Sequence, residues 1–180
     1  MSQRVPTEDR APARAATAGP GWRVREAGET DLLSCATAVE ALLDELGGRK
    51  PTPTELLTEV EAAFADRAGA SLLVAESEAG EVVGVLSASW GRAIHVPGPY
   101  ATIQDLWVHP EWRSRRVGAG LVEGMAGLCR ERGVARIEVG LPRETFAAID
   151  ATRGFYERNG FAHLGPRMRR LLDQEEQADG

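Results

Sequence analysis

The spacing of apolar residues along this 180-residue chain changes period several times, and each change marks an element. Trp22-Arg23-Val24-Arg25 alternates and predicts a short strand. Between Asp31 and Leu46, the residues Leu32, Ala36, Val39, Leu43 and Leu46 share one face at helical spacing, and Gly47-Gly48 ends that helix. Thr52-Pro53-Thr54-Glu55 reads as a capping box with proline at the first helical position, followed by a stripe of Leu56, Val60, Ala63 and Phe64. The period then shortens. Leu72–Ala75 is a buried strand, Glu78-Ala79-Gly80-Glu81 a turn, and Val82–Leu86 the returning strand. Another strand runs from about Ala101 to Val108. Leu121, Met125 and Leu128 mark a helix over about 120–132, and Ile137, Val139 and Leu141 alternate with Arg136 and Glu138 in a strand over 135–141. A helix from about Asp150 to Arg158 stops at Asn159-Gly160, and the segments Phe161–Leu164 and Arg167–Leu171 look like closing strands.

The order is β-α-α-β-β-β-α-β-α-β-β. Short links make 72–76, 81–90 and 101–108 a meander, while the strand–helix–strand over 101–141 needs a parallel crossover. The expected fold class is α/β (α+β), a mixed, mostly antiparallel sheet of six or seven strands with helices on both faces. Residues 1–21 are rich in Ala, Pro, Arg and Gly and are expected to be a disordered tail; 22–172 form the domain and 173–180 an acidic tail.

Charge and composition narrow the functions. A formal net charge of −6 disfavours nucleic acid as a partner. No segment approaches the ~20 apolar residues of a membrane span, and the N-terminus lacks the apolar core of a secretory signal, so a cytoplasmic location is expected. The two cysteines, Cys35 and Cys129, fall near apolar helix stripes and read as small buried hydrophobes rather than nucleophiles. The three histidines show no metal-ligand spacing, and no metal is expected.

Against this acidic background stands Arg113-Ser114-Arg115-Arg116-Val117-Gly118-Ala119-Gly120, at a strand-to-helix junction. Glycines let backbone approach a ligand, and the free N–H groups of a helix start favour an anion. The helix field contributes only about 1–2 kcal/mol, so amides and arginines must act together. An ordinary helix start is the competing reading.

The pattern Arg115-x-x-Gly118-x-Gly120 resembles the Q/R-x-x-G-x-G/A signature of the GNAT superfamily of acyl-CoA-dependent N-acyltransferases. Ile103-Gln104-Asp105-Leu106-Trp107-Val108-His109-Pro110 resembles that family's central strand and its exit, and Phe155-Tyr156-Glu157-Arg158-Asn159-Gly160-Phe161 its Y-x-x-x-G-F segment. Many members carry asparagine seven residues before the tyrosine; here that position is Ile149.

The resemblance implies acetyl-CoA as co-substrate, with its diphosphate on the backbone of Arg115, Arg116, Val117, Gly118, Ala119 and Gly120, and Val117 turned into the core. Arg113, Arg115 and Arg116 would pair with phosphates. It also implies a splayed central strand pair whose unpaired groups near Leu106, Trp107 and Val108 bind the pantetheine arm, the Val108 N–H serving the oxyanion. Tyr156 would be the acid toward the departing thiolate. Asp105 would bind an ammonium group and help to deprotonate it. The implied reaction is direct acetyl transfer to a primary amine of a small molecule in a ternary complex, with a homodimer as a family-level possibility. A catalytically silent acyl-CoA-binding or regulatory module and a protein N-terminal or lysine acetyltransferase are the alternatives.

Overall fold

The computed structural model describes residues 17–95, 97–165, 167 and 168. Six strands form one sheet in chain order: β1 (Thr17–Gly19), β2 (Trp22–Glu26), β3 (Ala70–Ser77), β4 (Val82–Arg92), β5 (Pro99–Val108) and β6 (Ile137–Val139). Every neighbouring pair is antiparallel except β5–β6, which is parallel, as the crossover requires. Four helices cover it: α1 (Leu32–Leu46), α2 (Pro53–Ala65), α3 (Val117–Glu131) and α4 (Ile149–Arg158).

The helix boundaries follow the local chemistry. Thr52 accepts the Glu55 N–H while the Glu55 carboxylate accepts the Thr52 N–H, closing the capping box that opens α2. At the end of α4 the chain leaves through Gly160, whose φ of 86° suits glycine, and the Phe161 N–H donates to the Tyr156 carbonyl.

Two apolar layers sandwich the sheet. On one face Val24, Leu73, Leu86, Ala101 and Ile103 pack under Val117, Leu121 and Met125 of α3 and Tyr156 of α4. On the other, Leu72, Val74 and Val85 pack under Cys35 and Ala38 of α1 and Leu56 and Val60 of α2. Both cysteines are buried and free, and burial pushes the Cys35 thiol up to about 12. The thiolate is therefore disfavoured there.

Two sequence expectations are corrected. Residues 17–19 form β1, so ordered structure begins before Trp22. Phe161–Leu164 is not a strand: the Phe161 ring turns edge-on to Tyr156 at 5.3 Å, and Ala162, His163 and Leu164 are exposed. A strand needs a partner ladder, and β6 carries only three paired residues. The expected strand Arg167–Leu171 lies largely outside the described residues, as do the tail 173–180 and residues 1–16.

Candidate active site

The site grows out of an irregularity in β5. Ser87 pairs with Asp105 and Ala88 with Ile103, so Gln104 is an extra residue, a β-bulge. In an unbroken strand Ile103, Asp105 and Trp107 would share a face, because side chains alternate. The bulge resets that alternation. Ala101, Ile103, Leu106 and Val108 all face α3, while Trp107 packs with the α1–α2 layer and Asp105 shares its side. A carboxylate that would otherwise be pressed into the α3 core is thereby released.

The same point ends the pairing with β6. The parallel ladder covers only Ala101, Thr102 and Ile103, and β6 ends at Val139, so beyond the bulge β5 has no ladder partner on that side among the described residues. The His109 N–H donates to the Val83 carbonyl of β4. Because N–H groups alternate sides along a strand, those of Leu106 and Val108 point the opposite way, into the opening. The Val108 carbonyl on that side accepts from Arg113 Nε at 3.1 Å.

Beyond β5, a 3-10 turn at Pro110–Trp112 leads into the junction. Ser114 (φ 63°) and Arg116 (φ 64°) are the described non-glycine residues with left-handed backbone. Each such residue costs on the order of 1–3 kcal/mol, a strain that clusters at ligand sites. Left-handed residues among right-handed ones turn successive N–H groups into a concave anion nest. Arg116 is the N-cap of α3 and makes no side-chain cap bond. The first helical bond runs from the Gly120 N–H to the Arg116 carbonyl, so the N–H groups of Val117, Gly118 and Ala119 precede the helical ladder.

The glycines also leave room for neighbouring side chains. A Cβ on Gly120 would sit 2.3 Å from the Trp22 ring, and one on Gly118 would sit 3.3 Å from Phe155 and 3.6 Å from Val108. They permit packing of protein on protein, which brings β2, β5 and α4 together around the start of α3. Val117 is buried, as expected. The arginines divide. Arg113 is held by the Val108 carbonyl and the Glu45 carboxylate of α1, which makes it a brace for the turn. The Arg115 guanidinium lies over the Trp112 ring at 5.0 Å, and both Arg115 and Arg116 are exposed.

Tyr156 comes to the α3 face of the opening from α4. Its ring lies edge-on between Phe155 (5.1 Å) and Phe161 (5.3 Å) and is 8% exposed. Burial first, and the Asp105 charge second, push its phenol up to about 12. It borders a groove of about 1150 Å³ between α3, β6 and α4. Asp105 stands on the α1–α2 side and accepts a 2.5 Å hydrogen bond from Ser87 Oγ. The two chemistry-bearing groups thus approach β5 from opposite faces. The Trp107 ring is edge-on to His109 at 5.8 Å, and its indole N–H is buried without a partner among the described residues. A second pocket, of about 650 Å³, is floored by the Arg25–Asp31–Glu76 ion network and lies against Glu81, His109 and Glu111.

Sequence reasoning missed that Trp22 reaches this junction. Its indole N–H donates to the Arg115 carbonyl at 3.1 Å. Only the tight Gly120 could have hinted at a ring pressed there.

Comparison with known proteins agrees with this fold. The model of the acetyltransferase (GNAT) family matches residues 37–161, well over half of the chain. Among solved structures, a possible acetyltransferase from Clostridium difficile 630 is 18% identical with a TM-score of 0.72, covering 86% of this chain and 99% of its own. Glucosamine-6-phosphate N-acetyltransferase from Arabidopsis thaliana is 17% identical with a TM-score of 0.66, over 84% of this chain and 99% of its own. An aminoglycoside 6′-N-acetyltransferase from Acinetobacter baumannii is 16% identical with a TM-score of 0.67, over 86% and 99%.

Proposed function

Because this chain belongs to the GNAT acetyltransferase family, we propose that it moves an acetyl group from acetyl-CoA to a primary amine of a small molecule by direct attack in a ternary complex. One observation carries the reading: an uncapped helix start, wound into a left-handed nest, stands beside a strand edge that its neighbour has left. The nest suits a diphosphate. The open edge suits the amides of an extended pantetheine arm, bound as an added strand would be.

The roles follow from position. The N–H groups of Arg116, Val117, Gly118 and Ala119 would take the diphosphate, with Arg115 and Arg116 supplying charge at its rim. Arg113 would hold the turn rather than the ligand. The Val108 N–H would polarise the thioester carbonyl and stabilise the oxyanion formed on attack. The amine would enter from the α1–α2 side, where Asp105 binds it as ammonium and helps to remove its proton. An alkylamine of pKa near 10.4 is neutral in only about one molecule per thousand at pH 7, so that help is needed.

Tyr156 would meet the departing sulfur from the other side. With its phenol near 12 and a thiol near 8.5, complete proton transfer is uphill by about 5 kcal/mol. Its contribution is therefore a hydrogen bond to developing negative charge, and the thiolate takes its proton from water.

Amino sugars head the acceptor list, since structurally similar proteins are named for acetylating glucosamine 6-phosphate and aminoglycosides. The test is release of coenzyme A from acetyl-CoA against a panel of amino sugars, aminoglycosides, polyamines, amino acids and peptides. Turnover with a small amine supports the reading. Turnover with peptides alone favours a protein acetyltransferase, and tight acetyl-CoA binding with no turnover favours a silent binding module.

A further inference from the structure

We propose that Trp22 is a positioning residue for the diphosphate nest, an inference that rests on the acetyl-CoA reading of that site. The Arg115–Arg116 peptide lies between two left-handed residues, Ser114 and Arg116. In a planar trans peptide the carbonyl and the following N–H point in opposite directions. Trp22 Nε1 holds the Arg115 carbonyl at 3.1 Å across 93 residues of chain. The Arg116 N–H is thereby turned away from Trp22, to the side where the anion would sit. Released from that bond, the peptide is free to rotate and the nest loses a donor.

The ring is built in tightly. It is 5% exposed, and a Cβ on Gly19 or on Gly120 would lie 2.5 Å or 2.3 Å from it. Trp22 begins β2, pairing with Gly19 of β1 and Ser77 of β3. Two glycines far apart in the chain thus leave room for one ring, and that ring makes its hydrogen bond to the strained turn. A buried indole N–H needs an acceptor, and here that acceptor is the strained turn itself.

The decisive change removes the N–H and keeps the shape: Trp22→benzothienylalanine, in which sulfur replaces the indole nitrogen, alongside Trp22→Phe. Coenzyme A binding to each full-length protein is measured by calorimetry, together with the melting temperature without ligand. KM for acetyl-CoA, KM for the acceptor and kcat are measured with the best amine of the panel. The loss of one neutral hydrogen bond to the nest is expected to raise the coenzyme A Kd about three- to tenfold in the isostere. The acetyl-CoA KM should follow, while kcat and acceptor KM stay level; the ligand-free melting temperature should fall by only about 2–6 °C, the loss of one hydrogen bond. An unchanged Kd in the isostere overturns the proposal, as does a fall in kcat with KM unmoved. If the wild-type protein itself fails to bind coenzyme A at millimolar concentration, the acetyl-CoA reading fails and takes this one with it.

Discussion

Tyr156→Phe separates two chemical roles that look alike on paper. The substitution deletes one oxygen and leaves the ring among Phe155 and Phe161. The hydroxyl takes part in no side-chain hydrogen bond among the described residues, so little stability is at stake. The magnitude follows from the phenol's position near 12. A donor that high stays protonated throughout the assay range, so it can only hydrogen-bond the sulfur. A bond to a charged acceptor contributes about 1.5–3 kcal/mol, which converts to roughly 10- to 150-fold in kcat. The assay is thioester cleavage followed at 412 nm with a thiol reagent, from about pH 6 to 10, for both proteins. Activity needs the protonated phenol, so its loss belongs near pH 12, and neither profile should show a basic limb that the substitution removes. A drop in kcat of less than threefold would refute the hydrogen-bond role. A basic limb near pH 8–9 in the wild type that vanishes in Tyr156→Phe would show instead that the phenol titrates low and transfers its proton.

Other changes test other joints of the structure. Asp105→Asn keeps an acceptor for Ser87 and removes the charge; the acceptor KM is expected to rise about tenfold or more, with the coenzyme A Kd unchanged in calorimetry. Asp31 is 5% exposed and held by a two-point contact with Arg25, which also binds Glu76. Arg25→Met should cost about 3–5 kcal/mol in urea unfolding, because it leaves the buried Asp31 carboxylate without its cation, while Glu76 keeps Arg23. Hydrogen bonds from Arg25 first, then Arg23, hold Glu76 down at about 2, and Arg25 likewise lowers Asp31. Folded values below unfolded ones mean the network's contribution is complete above about pH 4.5 and is lost as pH falls toward 2. Glu76→Gln should therefore flatten the acid limb of a stability–pH curve, and an unchanged limb would contradict the assignment. Deleting Gln104 removes the bulge while keeping each remaining side chain on its own face; coenzyme A affinity should fall at least tenfold with the circular dichroism spectrum retained.

Much of this was legible in the chain. The helices, the meander and the parallel crossover followed from period and caps, and the segment 113–120 stood out as a strand-to-helix junction. Several features needed three dimensions. The bulge at Gln104 is written only as a break in alternation between Ile103 and Leu106, which a strand of steady period hides. That Gly118 and Gly120 also leave room for rings depends on Phe155 and Trp22, distant in sequence. Arg113 is also paired with Glu45 of α1 across 68 residues of chain, a contact that the sequence does not show. Phe161–Leu164 has strand-like composition, yet strand formation needs a neighbour, and the packing of Phe161 on Tyr156 takes the chain elsewhere.

The most direct measurement is a crystal structure of the protein with coenzyme A. The account predicts the diphosphate within hydrogen-bond distance of the backbone N–H groups of Arg116–Ala119, and the pantetheine arm along Leu106–Val108. A nest closed to the ligand, or coenzyme A seated at another surface, would contradict it.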